Sequence, residues 1–268
     1  MIKMVVTDID GTILPYNSDF SVNVKNCIKK LEQSGIKVIL ATGRMHSSTT
    51  PIADKLGLRN PIISYQGGLV KDYEGNTIHK ADLPEKEAKE IITWARKNNI
   101  HLNLYIDDKL YVEKDDEIIQ SYIIGKFVNY TVCSFDDLKI KNVNKLLAID
   151  IHDAQKVTKW ENYLKEKYPD LYIVKSTPYF CEIGNRNAKK SIGVEVLCEL
   201  YGIKKEEVLT IGDQNNDIDL VKAGGVGVSM GNGTDELKAC ADFITDTAEN
   251  DGFVKAIEKF VFKNVEIK

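Results

Sequence analysis

Two aspartates, Asp8 and Asp10, stand two residues apart in the run VVTDIDGT, just past the short apolar stretch at Met4 to Thr7. Residues two apart on an extended chain point the same way, so both carboxylates can face one crevice. Like charges that close repel, and a divalent cation or an opposing charge on a ligand relieves the repulsion. Gly11 and Thr12 then let the chain turn, with Gly11 supplying the freedom a tight loop requires. A second acidic run, GDQNND at Gly212 to Asp217, follows the apolar stretch VLTI and brings Asp213 and Asp217 with amide side chains between them. Carboxylate, carbonyl and water ligands suit magnesium, and neither His nor Cys lies beside these runs. The chemistry offered is therefore that of a hard cation with an anionic ligand.

These residues need strand ends to stand on. The strand-like Met4 to Thr7 is followed by a helical period at Val24, Cys27, Ile28 and Leu31, then by strands at Val38 to Ala41 and Pro61 to Ser64. Gly35 sits where a helix C-terminus often takes a left-handed residue. The last third repeats this logic, with a helix from about Ala188 to Tyr201 stopped by Gly202 and strands at Val208 to Ile211 and Val226 to Val228. Both ends are expected to be halves of one doubly wound, parallel, Rossmann-like α/β sheet. Ligands bind such sheets at the C-terminal ends of the strands, where Asp8, Asp10 and Asp213 would meet.

The middle reads differently. Leu69 to Val70 and Thr77 to His79 flank a Glu74-Gly75-Asn76 turn and predict a hairpin, and Pro84 introduces a helix with the stripe Ala88, Ile91, Ile92 and Ala95. HLNLYI, a DDK turn, LYV, LLAIDI, a helix through Val157, Trp160 and Leu164, and LYIV follow. The expectation is a core of residues 1–82 and 187–268 with an α+β cap domain, 83–186, inserted into it.

The composition narrows the function. The 268 residues are 43% hydrophobic and 28% charged, with a formal net charge of -4 and a pI near 5.7, so no basic excess exists to neutralise a nucleic-acid backbone. No apolar run approaches the roughly 18 residues that would span a bilayer, and Asp8 interrupts any signal-peptide core, which gives a cytoplasmic expectation. Cys27, Cys133, Cys181, Cys198 and Cys240 are scattered and contain no CxxC pair, against both a disulfide framework and a thiolate zinc site. Nothing in the pattern addresses the oligomeric state.

DIDGT resembles the opening signature of the haloacid dehalogenase (HAD) superfamily of phosphohydrolases, and the rest of the chain follows in order. ATGR at Ala41 to Arg44 is similar to the family's Thr or Ser motif after the second strand, and GDQNND to its acidic motif. AGGVGVSMGNGTDELKACAD resembles the segment after that motif in the Cof-type branch, whose cap is inserted after the third strand. The resemblance implies hydrolysis of a small phosphorylated metabolite through an aspartyl-phosphate, with Asp8 as nucleophile and Asp10 as acid and base. It implies magnesium (Mg2+) on Asp8, Asp10 and Asp213, supported by Asp217. Ile9, Thr42, Gly43, Lys190 and Asn216 would bind the phosphate. Family spacing favours Lys190, with Lys189 beside it as the alternative, and Ser191 departs from the usual Lys-Gly. A second departure is Gln66 in Tyr65-Gln66-Gly67-Gly68, where relatives commonly carry Asn-Gly-Ala. Substrate choice is expected in the cap segment Thr177 to Arg186, with Tyr179, Glu182 and Arg186 as candidate readers. The nearest rival activity is a phosphomutase using the same aspartyl-phosphate; a phospho-accepting signalling module is a more distant one.

Overall fold

The computed structural model describes residues 1–16, 18–124 and 128–263. Along the chain, β1 (Met4–Thr7), α1 (Val22–Gln33), β2 (Lys37–Ala41), α2 (His46–Leu56) and β3 (Ile62–Ser64) alternate, and β4 (Leu69–Lys71) and β5 (Thr77–Lys80) form a hairpin. Then come α3 (Glu85–Lys97), β6 (His101–Ile106), β7 (Lys109–Val112), α4 (Glu117–Ile123), β8 (Tyr130–Val132), β9 (Val143–Ile149), α5 (Ala154–Lys167), β10 (Leu171–Thr177) and β11 (Phe180–Asn185). Alternation resumes through α6 (Lys190–Tyr201), β12 (Val208–Gly212), α7 (Ile218–Ala223), β13 (Val226–Ser229), α8 (Asp235–Lys238), β14 (Phe243–Ile244) and α9 (Gly252–Ile257).

The larger sheet has the order β14-β13-β12-β1-β2-β3-β4-β5, parallel as far as β3 and antiparallel beyond it. Its central strands β1 and β12 are buried along their whole length because both faces are covered. Val5, Leu40 and Ile211 pack with α1, α2 and α9, whereas Met4, Val6 and Ile39 pack with α6 and α7. α1 illustrates the local logic: Ser21 accepts the Val24 N–H as N-cap, and Val24, Cys27, Ile28 and Leu31 are buried on one face. The chain leaves β1 toward β2 on one side and returns as β12 on the other, and this reversal opens a crevice at the strands' C-terminal ends.

The second sheet, inserted between β5 and α6, has the order β10-β11-β9-β6-β7-β8 and is antiparallel except for β7 with β8. Leu102, Leu104, Leu146, Ala148, Cys181 and Ile183 face α3 and α5. The alternate residues Tyr105, Leu147 and Ile149 face the other way and share a cluster with Ile119 and Tyr122 of α4, with Met45 and Tyr65 of the larger sheet's loops and with Leu69 of β4. The second sheet thereby lies over the end of the first. Among the described residues, no helix is long and apolar enough to cross a membrane.

Candidate active site

The Asp8 N–H donates to the Ile211 carbonyl at 3.0 Å, which carries the β1–β12 pairing one residue beyond the strand and brings the two acidic loops side by side. Gly11 has φ +78°, and a Cβ there would lie 2.3 Å from Asp213 Oδ2. Only glycine lets this loop close on its neighbour. Thr12 Oγ1 donates to Asp213 Oδ1 at 3.0 Å, and the Tyr16 hydroxyl and Gln214 Nε2 donate to Oδ2 at 3.2 and 3.0 Å. Asp217 Oδ2 accepts the backbone N–H groups of Asp213 and Gln214 at 3.0 and 3.1 Å, which fixes the second loop.

Asp8, Asp213 and Asp217 are buried together, with one carboxylate oxygen of each within 4.8 Å of the others. Lys190 opens α6 with no exposed surface, its Nζ 2.6 Å from Asp8 Oδ1 and 2.6 Å from Asp217 Oδ1. Burial pushes the Asp8 carboxyl well above the usual range against the pull of Lys190, and Asp217, Asp213 and Asp10 push it further up. Burial and Asp217 push Asp213 up to about 7. Burial opposes the Lys190 charge, but Asp217 and Asp8 more than offset it and its pKa is raised. The cluster thus holds more carboxylates than its one ammonium satisfies, and hard oxygen donors without sulfur or imidazole fit magnesium.

Asp10 is held differently. Arg44 donates to it through Nε at 2.7 Å and Nη2 at 2.5 Å, a bidentate fork that engages both carboxylate oxygens. Asp10 therefore stands beside the buried cluster with its carboxylate on Arg44, while Asp217 contributes an oxygen within the cluster. Thr42 Oγ1 accepts the Arg44 N–H at 3.1 Å, and the Thr42 carbonyl accepts the Gln66 N–H at 3.0 Å. Asn216 Nδ2 donates to Gln66 Oε1 at 3.1 Å, while Asn216 Oδ1 and Gln66 Nε2 are buried without a hydrogen-bond partner. Such orphaned atoms suit a ligand that brings both donors and acceptors. The Ile9 carbonyl accepts the Thr12, Ile13 and Leu14 N–H groups and closes the first loop. Lys189 is exposed at the N-cap of α6, so of the two lysines only Lys190 enters the site.

A cavity of about 280 Å³ lies between the sheets. Its floor includes Asp8, Asp10, Thr42, Gly43, Arg44 and Asn216, and its roof Tyr122, Lys145, Ser176, Thr177, Phe180 and Glu182. Of the three expected cap readers, Glu182 lines it. Tyr179 lies outside the lining with 41% of its surface exposed, and Arg186 pairs with Asp170 at the surface. The reason is strand parity: Phe180 and Glu182 of β11 face the cavity, Cys181 and Ile183 face the helices, and Tyr179 and Arg186 lie beyond the strand's ends. Arg44, Tyr122, Lys145 and Ser176 were not read as site residues. Lys145 carried a usable signal, since a lone lysine within an apolar strand needs a buried partner, and Glu182 of the neighbouring strand supplies it at 2.6 Å.

The chain as a whole is similar to proteins of known family. A family model for haloacid dehalogenase-like hydrolases matches residues 5–257. Phosphatase YwpJ of Bacillus subtilis is 25% identical over 93% of this chain and 96% of its own. The 5-amino-6-(5-phospho-D-ribitylamino)uracil phosphatase YitU of the same organism is 25% identical over 96% of this chain and 97% of its own. A solved structure from Thermotoga maritima superposes with a TM-score of 0.83 and 33% identity, covering 97% of this chain and 98% of that one. A model that matches nearly the whole sequence, together with relatives aligned end to end, makes the chain a member of the haloacid dehalogenase-like hydrolases and a phosphatase of that family.

Proposed function

We propose that the protein hydrolyses a small phosphate monoester in a magnesium-dependent reaction that passes through an aspartyl-phosphate on Asp8. The observation that carries this reading is the Asp8 carboxylate itself, buried at the floor of the cavity, 2.6 Å from Lys190 and grouped with Asp213 and Asp217. In the first step an Asp8 oxygen attacks phosphorus in line with the ester oxygen. The P–O bond to the leaving group breaks, and Asp10 gives that oxygen a proton. In the second step Asp10 takes a proton from water, the resulting hydroxide attacks the same phosphorus, and Asp8 is regenerated. Arg44 forks onto both Asp10 oxygens and would orient the carboxylate that transfers the proton.

Thr42, Gly43, Asn216 and the Ile9 segment would hold the phosphoryl oxygens, and Lys190 would balance their charge. Asp8 and Asp213, with Asp217 in the same cluster, would hold magnesium, which supplies positive charge against the phosphoryl oxygens when bound. Residues 83–186 act in this reading as a cap that keeps bulk water from the cavity, and Glu182 would be among the cap residues that read the leaving group. Relatives named as phosphatases of a phosphorylated ribityl compound support a small metabolite as substrate. The five free cysteines accord with a cytoplasmic enzyme.

The test is Asp8→Asn, which removes the attacking charge and keeps the size. Phosphate release from a panel of metabolite phosphates should vanish while the melting temperature stays close to that of the parent. Sustained turnover by a folded Asp8→Asn protein would overturn the reading.

A further inference from the structure

Every cation at the cavity already meets a carboxylate. Lys190 is shared by Asp8 and Asp217, and Arg44 is forked onto Asp10. On the roof, Lys145 Nζ lies 2.6 Å from Glu182 Oε2 and donates to the Gly43 carbonyl at 2.7 Å, and Ser176 Oγ donates to Glu182 Oε1 at 2.8 Å. Lys145 and Glu182 are only 3% and 5% exposed, yet neither belongs to the phosphoryl-transfer apparatus. They come from adjacent strands, since Glu182 pairs with Leu147, two residues along β9 from Lys145 on the same face. Neighbouring positions on that face of β9 carry Leu147 and Ile149, so apolar side chains suit the packing there. An ion pair here costs desolvation that packing alone does not require, and both residues line the cavity.

We propose that the Lys145–Glu182 pair selects esters by the charge of the leaving group, favouring an uncharged, hydroxyl-bearing one over a leaving group with a second anion. The proposal deepens the phosphatase reading above and rests on it. A hydroxyl is both donor and acceptor, so it can give a proton to Glu182 and receive one from Lys145 without separating them. A second phosphate or carboxylate has only acceptors. It can accept from Lys145 but has no proton to give Glu182, and it then sits beside a buried carboxylate, where low dielectric makes repulsion strong. Among the described residues of the lining, no cation without a carboxylate partner is left to receive it. The volume of about 280 Å³ sits at the small end of ligand clefts, so the leaving group lies against this roof.

The experiment compares kcat/KM for matched esters: fructose 6-phosphate with fructose 1,6-bisphosphate, and glucose 6-phosphate with glucosamine 6-phosphate. The parent protein should prefer the monophosphate of the first pair by about tenfold or more, the effect of about 1.4 kcal/mol. Glu182→Gln leaves Lys145 without its counter-charge and should move the bisphosphate-to-monophosphate ratio about tenfold toward the bisphosphate. Lys145→Met leaves the carboxylate alone and should move that ratio the other way, raising glucosamine 6-phosphate relative to glucose 6-phosphate. Opposite shifts in the two variants support charge reading. A uniform fall for all substrates in both variants would reduce the pair to a tie between the sheets through Gly43, and a parent that prefers the bisphosphate would overturn the proposal outright. If one variant fails to fold, the parent ratio and the other variant still decide. Absence of phosphate release from every ester by the magnesium-loaded parent would instead remove the phosphatase reading beneath it.

Discussion

At the scale of single residues, Lys190 and Lys189 show how one position of helix phase separates a site residue from a surface one. Lys190 has no exposed surface and bridges Asp8 and Asp217, whereas Lys189 points to solvent. Lys190→Met leaves two buried carboxylates facing each other, a change that typically costs about 3–5 kcal/mol. Turnover should fall sharply and the urea midpoint should drop, while Lys189→Met stays within about 0.5 kcal/mol of the parent. Equal effects in the two variants would contradict this placement. Asp10→Asn should slow steady-state turnover by about 10²- to 10⁴-fold, the usual worth of a general acid and base, and an unchanged rate would assign proton transfer elsewhere. Asp8, Asp10 and Asp213 were legible because each sits in a local strand-end motif. The partner of Arg44 was not, because the fork to Asp10 joins loops from two different strands, and no local pattern encodes the meeting.

At the scale of elements, α2 begins without a side-chain cap of its own, since Met45 at the N-cap position has no side-chain oxygen to offer. Asp108, from the β6–β7 turn of the second sheet, takes that role across the interface. Its Oδ1 accepts the His46 N–H at 3.0 Å and its Oδ2 the Ser47 N–H at 2.9 Å, and the Tyr65 hydroxyl donates to Oδ1 at 2.7 Å. Asp108→Ala should therefore lower stability by about 0.5–2 kcal/mol, the range for losing an N-cap, and Asp108→Asn should recover part of it because one oxygen acceptor remains. Chemical denaturation reads both, and an Asp108→Ala protein as stable as the parent would mean water replaces the cap. The same geometry explains why α2 was hard to see in sequence. It lacks a start signal and carries Pro51 inside, whereas α1 announces itself through Ser21 and an unbroken apolar stripe. α4 and β8 are too short to show a period, and Glu182 interrupts the apolar run that would otherwise mark β11.

At the scale of the whole molecule, the acidic cluster exists only when the chain is folded, because Asp8 follows β1, Asp213 and Asp217 follow β12, and Lys190 opens α6. Its protonation is therefore linked to global stability. In the unfolded chain an aspartate titrates near 3.9, whereas burial and Asp217 lift Asp213 to about 7 in the fold, and burial also lifts Asp8. Between those values the metal-free native state binds protons that the unfolded chain has released, so stability falls as pH rises through about 4 to 7. Aspartates shifted downward, such as Asp116 and Asp150, lose their contribution as the pH falls below that window and do not mask the trend. Magnesium requires ionised ligands and competes with these protons. Added magnesium should therefore raise the melting temperature more at pH 8 than at pH 5, with about 2.7 kcal/mol gained at a hundredfold excess over Kd. Thermal scans of chelator-treated protein with and without magnesium at the two pH values check this. A larger gain at pH 5, or none at either pH, would mean that Asp8, Asp213 and Asp217 do not hold the ion.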